Sequence, residues 1–236
     1  MNKHVIVHLA GPSMAWGSHE FGWYRATEKF PLHSHICGML GAALGIDRMD
    51  FDSQKELRDS FIYAVKLEGD TQSEMTDFQT LRPTIKRSDY RIFRGVTRSS
   101  FGNMVNDKNG IVKKKYDSGK MIRKNYICDS KYIALIRLKE SSKYIEEDLI
   151  YALGNPVYTT CLGRKNCIPS EPLIQKESIV EADSFLEAFK EVSKTSGTVW
   201  TSEESEEAYR KVIVRDFPNF DKLRTYSKRE IYEIAV

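Results

Sequence analysis

Residues 4–46, HVIVHLAGPSMAWGSHEFGWYRATEKFPLHSHICGMLGAALGI, decide the fold. His4 to Leu9 is a short apolar run leading into Ala10-Gly11-Pro12, which predicts a strand ended by a turn. After a polar stretch, Ile36, Met39, Leu40, Ala43 and Leu44 recur at the spacing of one helical face. Ser34 is placed to cap that helix and Gly45 to stop it. Gly38 and Gly41 fall inside it, each costing roughly 1 kcal/mol against alanine. Such a cost asks for a close neighbour. Tight packing on a sheet is the ordinary one; a phosphate or backbone against the helix start is the other.

The same alternation continues down the chain. Phe61–Leu67 and Lys131–Leu138 read as strands. Ile145, Leu149 and Leu153 mark a helix ended by Gly154-Asn155-Pro156, and Leu173 to Val180 offers a fourth strand. The order is β-α-β, an insert, then β-α-β, the α+β ferredoxin-like (RRM-like) arrangement. Residues 1–180 are assigned to that domain, with 78–128 as an inserted hairpin. Residues 181–236 form a smaller β-rich unit: a short helix over Asp183–Val192 and strands at Thr198–Thr201, Tyr209–Val214 and Ile231–Val236.

Charge locates the function. The whole chain carries only +3. Residues 82–124, however, hold thirteen basic and three acidic residues, a surplus of ten, which leaves −7 on the rest. Tyr90, Phe93, Phe101, Tyr116 and Tyr126 are interleaved with these cations. A charge run is ordinarily a solvated face. Cations alternating with flat rings suit an unpaired nucleic-acid strand, where phosphates meet the cations and bases stack on the rings. A second compact motif, Leu162-Gly163-Arg164-Lys165-Asn166-Cys167, sets a glycine beside two cations and could offer N–H groups to a phosphate; a generic surface turn would look similar.

Catalytic patterns are sparse. There is no Walker loop, GxSxG elbow or HExxH. All five histidines precede residue 36; in a metal-independent ribonuclease His33 or His35 could serve as the base if the fold brought them to the RNA. Neither His33-x-His35-x-Cys37 nor the pair Cys161 and Cys167 has zinc-site spacing, and no metal or cofactor is expected. Met1-Asn2-Lys3-His4 is not a secretory leader and no apolar run spans a bilayer. A cytoplasmic protein with reduced cysteines and no membrane partner is expected.

Several blocks together resemble one family. They are Leu9–Pro12 with Ala15-Trp16-Gly17, Phe30-Pro31 with Gly38–Ile46, Tyr126–Asp129, Leu162–Cys167, Trp200–Ser205, Val214–Pro218 and Ser227–Tyr232. In that order, over nearly the whole chain, the sequence resembles the CasD family. These are the RAMP-type subunits of type I-E CRISPR surveillance complexes, or Cascade. The resemblance implies a ferredoxin-like palm, a thumb hairpin and a non-catalytic role. Such a subunit holds the 5′ handle of the CRISPR RNA (crRNA) and caps the filament of backbone RAMP subunits. It sits beside the large PAM-reading subunit and meets target DNA only through the complex.

The expected RNA contacts follow. Trp16, Arg25, Lys29, His33 and Ser34 would cradle the handle, and Arg164 and Lys165 would hold phosphates. Lys86, Arg87, Arg91, Arg94, Arg98, Lys113, Lys114, Lys115 and Arg123 would close over the strand as a thumb. The alternative is a metal-independent endoribonuclease that processes precursor CRISPR RNA, as the related subunit does in type I-C systems. A general RRM-like protein is a third reading, against which no RNP-type aromatic run is found on a strand. Replacing Lys113, Lys114 and Lys115 together should weaken RNA retention. It should also lower the log–log salt slope by roughly 0.7 for each phosphate no longer neutralised. Unchanged affinity and slope in a filter-binding titration would count against the thumb.

Overall fold

Four antiparallel strands in the order β8-β1-β7-β3 form the centre of the sheet: β1 (Asn2–Met14), β3 (Phe61–Leu67), β7 (Lys120–Leu138) and β8 (Ile179–Ala182). Helices α1 (His33–Ala43) and α3 (Glu146–Gly154) are the two crossovers. This is the ferredoxin-like order anticipated from the sequence. The computed structural model describes residues 1–17, 23–69, 73–81, 104–106, 112–114, 120–220 and 225–236, with the backbone alone at 81, 104–106, 112–114 and 120.

Strand alternation sorts the side chains onto two faces. Val5, Val7, Leu9, Phe61, Tyr63, Val65, Tyr132, Ala134 and Ile136 join the main core beneath α1 and α3. Ile6, Ala64, Ile133 and Leu135 face the other way, under α4 (Phe185–Val192) with its Phe185, Ala188 and Phe189. Each fully buried Leu or Phe contributes about 1.5–3 kcal/mol. Lys66 lies on this second face, fully buried. Its Nζ donates to the carbonyls of Thr195 at 2.6 Å and Ser193 at 3.4 Å, just past the end of α4.

The glycines of α1 do not pack on the sheet. Gly41 meets only Leu57 Cδ2, at 3.6 Å from where a Cβ would stand, and Gly38 faces open space. Leu57 belongs to α2 (Phe51–Ser60), a helix that the sequence reading omits because Leu57 is its one well-buried apolar residue. Its start is fixed by Asp50, whose carboxylate accepts from the Ser53 amide at 3.1 Å. The fourth strand also begins later than Leu173. Gln175, Lys176 and Glu177 are exposed between two isolated hydrogen bonds to β1, from His8 N to Leu173 O and from Ile6 N to Ser178 O.

Residues 181–236 extend the same sheet. Strand β9 (Thr198–Thr201) pairs with β3, β11 (Tyr226–Ala235) with β9, and β10 (Arg210–Pro218) with β11. The register of β10 shifts between Arg215 and Phe217, so Asp216 is the extra residue of a bulge. Asp216 points into the core, on the same face as Val214. One carboxylate oxygen accepts from the first amide of α1, His33 N, at 2.8 Å. Arg229 donates to the same carboxylate at 2.7 and 3.1 Å and to the Tyr63 hydroxyl at 2.9 Å. That hydroxyl donates to the Pro31 carbonyl at 3.1 Å. Burial pulls the Asp216 carboxyl upward, but the hydrogen bond and charge of Arg229 and the His33 amide hold it below the usual carboxylate range. His33 itself stacks on Phe61, ring centres 4.7 Å apart. Burial, helped by the Arg229 charge, pushes its pKa down to about 3.

Two outcomes are expected. Asp216→Ala leaves Arg229 buried without its partner and should cost about 3–5 kcal/mol in urea unfolding; a loss below about 1 kcal/mol would contradict this account. His33 is neutral when folded, whereas an unfolded histidine titrates near pH 6.5. As pH falls below about 6.5 the unfolded chain takes up the proton first, so stability is lost. Between pH 7 and pH 5 the wild type should lose about 2 kcal/mol more than His33→Phe. Equal losses would show that His33 charges freely in the folded protein.

Candidate nucleic-acid interface

The insert between the second and third palm strands begins as two long legs. Strand β4 (Ser73–Leu81) pairs with the first half of β7, in register from Ser73 with Cys128 to Leu81 with Lys120. Asp129 takes a positive φ of 48° at the joint between arm and palm. Further along, Met104–Asn106 and Val112–Lys114 pair as short strands β5 and β6.

Between Gly17 and Pro31 the chain leaves β1 and returns. The excursion is closed at its neck, where Trp16 N donates to Thr27 Oγ1 at 2.8 Å and Glu28 N to Trp16 O at 2.7 Å. From it, β2 (Tyr24–Arg25) lies parallel against Arg123 and Lys124 of β7. Two aromatics thereby arrive at the base of the arm. The Arg123 guanidinium sits over Trp23 at 5.2 Å and over Phe78 at 4.6 Å, and both rings are 54% exposed. Phe78 and Arg123 are direct cross-strand partners, as are Thr76 and Asn125. Asn125 Nδ2 donates to the Tyr24 hydroxyl at 3.0 Å. One face of the arm therefore carries Tyr24, Phe78, Arg123, Asn125 and Thr76, with Trp23 alongside. Two rings with a cation between them, open to solvent, can receive a base on either ring and a phosphate on the guanidinium.

Of the residues expected at RNA, Arg25, Arg123, Arg164 and Lys165 converge at this base. Lys165 is exposed. Arg164 has a different role from the one expected. Its guanidinium lies over Tyr126 at 4.6 Å and donates to the carbonyls of Asn125 at 2.9 Å and Arg25 at 3.3 Å, so it braces the arm against the excursion. The turn that carries it also spends its amides internally, Leu162 N on Cys167 O and Cys167 N on Arg164 O. Gly163, at φ 91°, is required because a Cβ there would stand 1.9 Å from the Ala15 carbonyl oxygen.

Trp16 and His33 are corrected as well: each is only 2% exposed. Trp16 packs edge-on against His35 and Tyr132. Ser34 follows His33 in a first helical turn whose leading amide Asp216 already holds. His35 accepts from Leu32 N at 3.0 Å, and burial lowers its pKa to about 4. Lys29 is exposed, while its carbonyl accepts from the Tyr132 hydroxyl at 2.6 Å. The Lys86, Arg87, Arg91, Arg94, Arg98 and Lys115 positions, and the side chains of Lys113 and Lys114, lie outside the described residues. Trp23 and Phe78 escape the sequence reading. Their signal is faint: Phe78 precedes the basic run, and Trp23 is distant in sequence from everything it meets.

The family model described as CRISPR-associated protein (Cas_Cas5) matches residues 4–233. The "CRISPR system Cascade subunit CasD" of Escherichia coli (strain K12) is 28% identical over 239 residues, covering 99% of this chain and 96% of its own. Among solved structures, a chain of a "CRISPR RNA-guided surveillance complex" superposes with TM-score 0.69 at 19% identity, over 99% of this chain and 90% of its own. A crystal structure of a Cas protein gives TM-score 0.61 at 22% identity, over 98% and 94%. Sharing the Cas5 family model over almost its entire length, the chain belongs to the Cas5 family of CRISPR-associated proteins.

Proposed function

We propose that this Cas5 protein is the crRNA-binding subunit of a type I-E Cascade surveillance complex. It holds the 5′ handle of the guide, caps the filament of backbone RAMP subunits and stands beside the large PAM-reading subunit in the cytoplasm. The exposed Trp23–Arg123–Phe78 cluster carries the reading. It lies where the palm passes into the insert, whose sequence adds a surplus of ten positive charges between residues 82 and 124. Rings and cations without a fixed pattern of base-edge donors suit a handle gripped by stacking and phosphate contacts. Target sequence is then read by pairing between guide and DNA, not by this chain.

The role proposed is binding, not cleavage. For the ribonuclease alternative, His33 or His35 could serve as the base at the ribose 2′-hydroxyl. His33 is enclosed by Phe61, Tyr63 and Phe217, and the Nδ1 of His35 is committed to the Leu32 amide.

Phe78→Ala with Arg123→Ala should weaken binding of a handle-bearing crRNA about tenfold or more, since stacking of one base on a ring is worth about 1–3 kcal/mol. The salt slope should fall by roughly 0.7. Unaltered affinity would overturn the reading. Incubation with precursor RNA and no metal is the companion assay: site-specific cutting at the handle would favour the endoribonuclease.

A further inference from the structure

Among the described residues, the β10–β11 hairpin pairs its cations except at one place. Arg210 meets Glu233 at 3.5 Å, Lys211 meets Glu230 at 2.8 Å, and Arg229 meets Asp216 at 2.7 Å. Arg215 and Lys228 are direct cross-strand partners, and both are exposed. Neither has an ion-pair or hydrogen-bond partner among the described residues. Like charges set directly opposite one another destabilise a sheet. Strand alternation sets the arrangement: Val214 and Asp216 face inward, which leaves Arg215 pointing out beside Lys228. Tyr226, two residues from Lys228 on the same face of β11, is 44% exposed.

We propose that Arg215 and Lys228, with Tyr226 beside them, form a second nucleic-acid site on the outer face of this hairpin, which takes the phosphodiester backbone of a strand. Cross-strand side chains at about 5 Å between Cβ atoms can share one phosphate, and the phosphate relieves the repulsion that the hairpin otherwise carries. The flat ring favours an unpaired strand over an acidic protein surface, because a base can stack on it.

The site stands apart from the arm. Strand β11 runs from Ala235, opposite Thr198 near the arm end of the sheet, to Lys228 at the other end. The arm legs start beyond Leu67 at the first of these ends. A stretch of guide seated on Phe78 and Arg123 is therefore not the stretch that meets Arg215. The hairpin takes another segment of guide or a separate single strand, and it does so whether or not the arm holds RNA.

The test uses the full chain with an oligouridylate and an oligothymidylate, each of about 16 nucleotides. Arg215→Glu turns the like-charge pair into an opposite-charge pair, so it should keep or raise stability while lowering affinity for both oligonucleotides. Arg215→Gln with Lys228→Gln removes both cations from the shared phosphate and should lower the salt slope by roughly 0.7. The fall in affinity between about 50 and 200 mM salt should then be about 2.6-fold smaller than in the wild type. Weakening with one oligonucleotide only would identify the strand as RNA or DNA and would support the site. Unchanged affinity and slope in both variants would overturn it. So would unchanged oligonucleotide binding together with failed assembly into the complex, because the cations would then face acidic protein. Phe78→Ala with Arg123→Ala, measured in parallel, separates the two sites: if it leaves binding intact while the hairpin variants weaken it, the arm reading falls and this one stands.

Discussion

One carboxylate ties the two ends of the sheet's sequence together. Asp216 lies far along the chain, in a strand added to the edge of the palm, yet it accepts the opening amide of α1 and neutralises Arg229 inside the core. Arg229 in turn holds the Tyr63 hydroxyl, which reaches the Pro31 carbonyl just before α1. The helix start, the central strand β3 and the C-terminal hairpin thus share one hydrogen-bonded knot. Arg58 of α2 reinforces it from outside, donating to the Pro218 carbonyl at 2.9 Å and lying over Phe217 at 4.7 Å. A buried ion pair adds little if compared with a well-packed apolar replacement, but it is strongly specific, since either partner alone is costly. Here that specificity fixes where the hairpin docks.

The knot has a consequence for ligand binding. A free helix N-terminus is an anion site, with unsatisfied amides and a favourable dipole. The start of α1 faces an internal anion instead: Asp216 holds its first amide. Polar affinity is displaced to surfaces whose cations have no carboxylate to meet. At the base of the arm Arg123 rests between two rings, and on the hairpin Arg215 stands beside Lys228.

The palm was legible because its periodicities are strong. The strands at Phe61–Leu67 and Lys131–Leu138 and the helix from His33 carry dense apolar patterns, and their order leaves one simple topology. Helix α2 was not legible, since a helix with one buried leucine has no stripe to detect. The start of β11, Tyr226 to Glu230, is polar but for its tyrosine and carries no strand pattern. The charge surplus marks the insert in the sequence but gives no face of it. Trp16, expected at the RNA, is a core residue at the neck of the excursion. Trp23 and Phe78 become neighbours only through the parallel pairing of β2 with β7, a contact between segments about a hundred residues apart that no local pattern encodes.

Arg164 shows why residue type alone does not assign a role. In sequence it sits beside a glycine and a lysine, a combination that suits a phosphate. In the fold its guanidinium faces two backbone carbonyls and an aromatic ring, all of them electron-rich, and its five donors suit that set as well as they suit an oxyanion. By joining residue 125 of the arm to residue 25 of the excursion, it sets the separation between β7 and β2 and so the gap in which Arg123 lies between its rings. Under the proposed function it acts through the position of Trp23 and Phe78. Lys165, one residue on and exposed, is the cation of that turn left to meet a phosphate directly.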